Sequence, residues 1–180
     1  VTKESDMAIE TIHSGAHVRS IPVSTVVGVD EVPGAVRSIV TLADPDYMDL
    51  FTVSTPIAKD RSAEQWIRAV LEQSAVARHN ARRVWRLMGL RLGPQDSADH
   101  VQGWKISGRG ADWVRVETAS WYLTAQAICL VEQGRVSISL ALRYDHPAAR
   151  LAWAVVSGPH QRALPVMLRQ AVRLPIGQSR

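Results

Sequence analysis

Residues 135–156 read RVSISLALRYDHPAARLAWAVV, and the change of period inside this stretch decides the fold. Val136, Ile138, Leu140, Leu142 and Tyr144 fall on one side of an extended chain, with Arg135, Ser137, Ser139, Ala141 and Arg143 on the other. Strict alternation of this kind describes a strand with one covered face. After Tyr144 the period becomes helical. Asp145 is placed to cap a first turn, and Pro147 suits that turn because no amide bond is lost there. From Trp153 onward, helical spacing carries Val156, Ser157, His160, Leu164, Met167, Leu168 and Ala171 along one stripe. The Gly158-Pro159 pair interrupts that stripe and predicts a kink.

Working upstream, HVQGWKISG, WVRVETASWYLTAQAICLVEQ and RVSISLALRY read as consecutive strands, with GRGAD and EQGR as the turns between them. Ser62, with Gln65 three residues later, has the form of a capping box, and Ala63, Trp66, Ile67, Val70 and Leu71 continue it as a buried helical stripe. A second helix is expected over about 76–92, with Val84, Leu87 and Met88 inward and Arg78, Arg82 and Arg86 outward. HVRSIPVSTVV, AVRSIVTLA and LADPDYMDLFTVSTPI read as earlier strands. The first 17 residues are polar and aperiodic, and a flexible tail is expected there, with a second over 176–180.

Totals narrow the function classes. The chain has 180 residues, 46% of them hydrophobic and 21% charged, which suits one globular domain over 18–175. The net charge is +4, but the basic residues are spread along the chain, so no nucleic-acid partner is expected. Cys129 is the only cysteine, which rules out an internal disulfide and a thiolate metal cluster. No apolar run is long enough for a membrane span, and the first residues lack the pattern of a signal peptide. A cytoplasmic setting is the expectation.

Strand, two helices, an antiparallel meander and a long final helix is the order of the α+β helix-grip layout. In that layout a curved sheet wraps the C-terminal helix and leaves a cavity between them. ADPDYMDLF, with Asp46, Tyr47, Asp49 and Phe51, resembles the Asp-Tyr-x-Asp-x-Phe start of the bacterial DUF2867 family, related to the START/Bet v 1-like (SRPBCC) superfamily. HQRALPVML is similar to the C-terminal pattern of that family, in which His160, Pro165 and Leu168 would be the matching positions. GPHQR departs from its Pro-aromatic-His-Arg form. The resemblance covers about residues 42–173. It implies a helix-grip fold and ligand binding, with no settled reaction.

The candidate site follows from residue size and face. Leu123, Ala125, Ala127 and Cys129 alternate onto one side of their strand together with Trp121, and the three small side chains leave a trough. Either close helix packing fills it, or it enlarges a pocket for an apolar small molecule such as a lipid, polyketide or terpenoid. Trp104, Trp113, Trp121 and Trp153 would then be flat walls, with Tyr144 and Leu164 beside them. His160 is either a core histidine bonded to a neighbouring strand or a polar group in that pocket, where it could serve as acid or base. Ser157 lies one turn before it. Arg115 and Glu117 share a face with Trp113; either they are solvated, which is the expectation, or they lie inside and orient a polar group of a ligand. His13 and His17 have i, i+4 spacing, but the glycine between them favours a tail over a metal site. No metal or cofactor is expected. The chain carries no complete catalytic signature, so binding without turnover comes first. A polyketide cyclase/aromatase-like enzyme using the same pocket is the alternative, and a module docking through its basic helix is the third.

Overall fold

The computed structural model describes residues 21–77, 81–95 and 97–175. The expected tails at 1–17 and 176–180, and His13 and His17, lie outside them. The described chain is α+β: a seven-stranded antiparallel sheet with a long C-terminal helix. In chain order the elements are β1 (Val23–Val27), α1 (Gly34–Arg37), β2 (Tyr47–Ser54), α2 (Ala63–Arg68), α3 (Arg82–Leu87), β3 (His100–Val101), β4 (Trp104–Arg109), β5 (Trp113–Ala119), β6 (Leu123–Glu132), β7 (Arg135–Tyr144) and α4 (Ala148–Arg173). The strands run side by side as β1-β2-β7-β6-β5-β4-β3, so early β2 sits between β1 and late β7 on one side of the central β6. No described helix is long and apolar enough to cross a membrane.

The register makes one face. Phe51 lies opposite Ile138, Ala127 opposite Leu140, and Val116 opposite Ala127. Together with Trp66, Ile67 and Val70 these side chains form the main core, which the helices cover. Ser62 begins α2 with the expected capping box: its hydroxyl accepts from the Gln65 amide at 3.2 Å, and its own amide donates to the Gln65 side chain at 2.9 Å. Beyond Arg68 the helix widens into a π-helical segment, Ala69–Gln73.

Several boundaries differ from expectation for local reasons. Residues 35–43 do not form a strand. Pro33 starts the short helix α1, and Val32 and Val36 bury themselves with Met48, Leu50 and Ala141 on the opposite face of the sheet. Arg115 helps hold this strap, donating from Nη1 to the Ile39 carbonyl at 2.7 Å. Residues 100–108 split into two strands because Gln102 and Gly103 both take positive φ, 50° and 93°, as a tight hairpin requires. The 113–133 stretch also folds back on itself, at Ser120, whose hydroxyl accepts from the Leu123 amide at 3.1 Å. The second helix stops at Gly89, φ 67°, leaving Leu87 88% exposed instead of inward. Arg82 turns inward instead of out, donating to the carbonyls of Gln102 and Gly93.

Helix α4 spans 26 residues, about 39 Å at 1.5 Å per residue. It runs helically through both Pro159 and Pro165, so the expected irregularity at Gly158-Pro159 does not break it. Asp145 is not its cap. That carboxylate is held by Thr124 and Arg143, while the His146 ring nitrogen Nδ1 accepts from the Ala148 amide at 3.2 Å. At the other end Arg61, 8% exposed, donates to the carbonyls of Ala171 (2.8 Å) and Leu174. Its guanidinium also lies 4.7 Å from the Trp66 ring centre. A buried cation at a helix C-terminus satisfies carbonyls that have no helical partner and opposes the helix dipole. Arg61→Ala is therefore expected to lower stability by about 2 kcal/mol, seen as a fall in Tm of about 4–8 °C in a chain of this size. Arg61→Lys should recover less than half of that, because an ammonium lacks the fork that reaches both carbonyls.

Candidate functional site

Alternation in β2 sends Tyr47, Asp49 and Phe51 to the same face, and that face looks toward α4. Asp49 is thus an acid at a core position, with none of its surface exposed. A carboxylate removed from water must have donors on both oxygens. One oxygen accepts from the Leu140 amide of β7 at 3.1 Å. The other accepts from the Tyr47 hydroxyl at 2.8 Å and meets His160 Nε2 of α4 at 2.8 Å. Gln161, the next residue on the helix, donates to the Tyr47 hydroxyl at 3.2 Å. A carboxylate has no proton to give, so Nε2 is the donor in the Asp49–His160 bond. Nδ1 makes no hydrogen bond among the described residues.

This polar cluster forms one corner of a cavity of about 410 Å³. The sheet supplies Phe51, Leu123, Ala125, Ala127, Ile138, Leu140 and Leu142, and α4 supplies Trp153, Val156, His160, Ala163, Leu164 and Met167. The helical layer closes it with Leu71, Val84, Trp85 and Met88, and Trp104 of β4 stands behind. Apart from Asp49, Ser139, His160 and the indole nitrogens, the lining side chains are carbon and sulfur. The imidazole packs edge-on to Phe51 at 5.8 Å and tilts against Trp153 at 5.3 Å between ring centres. Two buried donors of wall residues, Nε1 of Trp104 and Nε1 of Trp153, have no acceptor among the described residues.

Six of the residues expected at the site line the cavity: Trp104, Ala125, Ala127, Trp153, His160 and Leu164. Trp113, Trp121 and Tyr144 lie elsewhere. Trp113 shares the outer side of β5 with Arg115 and Glu117, and its indole folds over the 108–112 turn, where a Cβ at Gly110 would come within 2.1 Å of Nε1. Trp121 belongs to the Ser120 turn and not to a strand, so alternation does not place it. It is 68% exposed and stacks with Tyr122 and His146. Tyr144 follows Leu142 on the inner side, but it lies past the end of the cavity, next to Asp46, His146 and Arg150. Ser157 donates to the carbonyl of Ala154 at 3.4 Å and not to His160. Cys129, on the trough side, is sealed in the core, and burial pushes its thiol up.

Asp49, Tyr47, Gln161 and Trp85 are the site residues that residue type and spacing did not pick out. The signal for Asp49 was present, since a charged residue alternated with Tyr47 and Phe51 on the apolar side of a strand. Its partner sits 111 residues later, and no spacing rule links them.

The chain has three tyrosines, and the fold raises the ionisation of each. Burial and then the Asp49 carboxylate hold Tyr47 far above its ordinary value of 10.0. Burial alone raises Tyr122, and burial with Asp46 raises Tyr144 against the opposing Arg150. A raised folded-state value stabilises the fold below the ordinary value and is lost as pH climbs past it. Stability should therefore decline above about pH 10, with phenolate absorbance at 295 nm delayed in the native protein and released on unfolding. Tyr47→Phe should remove the largest part of that decline, and at neutral pH should cost about 1 kcal/mol for the lost bond to Asp49. Among known proteins, no family model matches the chain, and no curated protein or solved structure is significantly similar to it.

Proposed function

We propose that the chain is a helix-grip domain that holds an apolar small molecule, of the lipid, polyketide or terpenoid kind, between its sheet and α4. The observation that carries this reading is the carbon-lined cavity of about 410 Å³ with polar groups gathered in one corner. Its size falls within the range of ordinary ligand pockets, about 300–1,000 Å³. Ala125 and Ala127 lie at its floor, where larger apolar residues would fill the space and add stability. Close packing is the rule inside proteins, so a void kept open by two alanines is better explained by a guest than by folding. A relationship to the DUF2867 family, and through it to START/Bet v 1-like proteins, is part of the same proposal. In its favour, the two stretches that carry the resemblance, 46–51 and 160–168, meet at Asp49 and His160.

Docking through the basic helix is the weaker reading. Arg82 directs two donors to backbone carbonyls of its own chain.

The test is to fill the floor. Wild-type protein should bind the neutral dye N-phenyl-1-naphthylamine saturably, with a rise in its fluorescence. Ala125→Leu with Ala127→Leu should weaken that binding at least about tenfold, the equivalent of 1.4 kcal/mol, with Tm unchanged or raised. Equal dye uptake by a folded double variant would sink the reading.

A further inference from the structure

The corner at Asp49 leaves one polar atom for a guest. Of the charged and hydroxyl-bearing residues in the cavity wall, Asp49 and Ser139 have no exposed surface. Both are spent inside the protein. The Asp49 carboxylate takes its donors from Leu140, Tyr47 and His160, and the Ser139 hydroxyl donates to the Asp49 carbonyl at 2.6 Å. His160 differs, because its side chain lines the cavity and keeps 16% of its surface. Nε2 is bound to Asp49, whereas Nδ1 makes no hydrogen bond among the described residues and keeps accessible surface.

Charge narrows the guest further. Among the described residues no lysine or arginine lines the cavity, so the Asp49 charge has only the imidazole beside it. One imidazole cannot balance two carboxylates, and an uncompensated charge in a carbon-walled space is costly. An ammonium brings three donors, of which Nδ1 could take one at most. A hydroxyl fits either state of the ring: it donates to a bare Nδ1 and accepts from a protonated one. We propose that the guest is a neutral, apolar alcohol whose hydroxyl pairs with His160 Nδ1 while its hydrocarbon part fills the space over Ala125 and Ala127. The inference rests on the cavity reading given above, and it narrows the lipid, polyketide and terpenoid classes to members with a hydroxyl and no charge. Asp49 is the positioning residue: it holds the ring through Nε2, and its charge turns anions away.

The probes are decanol, decanoate, decylammonium and undecane at neutral pH, each scored by displacement of N-phenyl-1-naphthylamine. Decanol should displace the dye at least about tenfold more tightly than decanoate or decylammonium, the equivalent of 1.4 kcal/mol. In protein labelled with nitrogen-15 at histidine, decanol should move the Nδ1 resonance of His160, and undecane should leave it in place. That resonance is assigned through its loss in His160→Gln. Asp49→Asn removes the buried charge and should narrow the gap between decanol and decanoate by about tenfold. A merely structural defect would weaken both probes together. Should that variant not fold, the resonance and the probe series decide alone. Decanoate or decylammonium binding as tightly as decanol would overturn the proposal. So would an Nδ1 resonance that decanol does not move, or a gap that folded Asp49→Asn keeps. In each of these cases dye binding leaves the cavity reading standing. If neither the dye nor any probe binds, the cavity reading falls and takes the proposal with it.

Discussion

A single carboxylate fixes the geometry on which the rest depends. Asp49 is fully buried, and its donors come from β7, from its own strand and from α4. Residues 160 and 161 both take part, one directly and one through Tyr47. Two consecutive helical positions lie about 100° apart around the axis, so holding both sets the roll of the helix as well as its height. A slip of one residue would swing the imidazole away and leave a buried charge with fewer donors, which is among the costlier defects a core can carry. The cavity takes its shape from that fixed roll, because Trp153, Val156, Ala163 and Leu164 face it only in this setting.

Around this fixed point the fold divides its labour. The end of the core under α2 is filled by large side chains, with Trp66, Ile67 and Val70 all at 0% exposure. Trp66 even settles its indole N–H on the Ala58 carbonyl at 2.9 Å. The other end is lined by alanines and by two indoles whose N–H groups find no such partner among the described residues. Large, tightly buried side chains fill one end, and the open space and unpaired indole donors lie at the other. Local rules tend to be broken where a protein acts and not where it merely holds together.

The sequence made the strands of regular alternation and the capped helix easy to read. The Ser62–Gln65 box has the expected form because it is decided by neighbours in the chain. β7 is the expected strand, but Ser137, Ser139 and Ala141 on the side expected to be wet are buried, because the segment around Val32 and Val36 packs on that face. Turns hidden in apolar surroundings were harder. Trp121 looked like one more strand residue until Ser120 closed a hairpin beneath it, and Gln102 gave little sign that it would take a positive φ. Half of the site could be read as well, namely the alanine trough and the stripe that carries Trp153 and His160. Its acid could not, because Asp49 and His160 meet only through tertiary packing.

The two prolines of α4 bear on the same corner. Each lacks an amide hydrogen, so the carbonyls of Val155 and Gln161 lose their usual helical donors. These missing rungs lie on either side of the His160 turn, and Pro159 itself borders the cavity. The stretch of α4 that borders the cavity therefore lacks two of the helix's own rungs. Bending it outward breaks less there than elsewhere along the helix. Arg61 and the Asp49 cluster anchor α4 at two points, and the prolines place the helix's weakest rungs next to one of them.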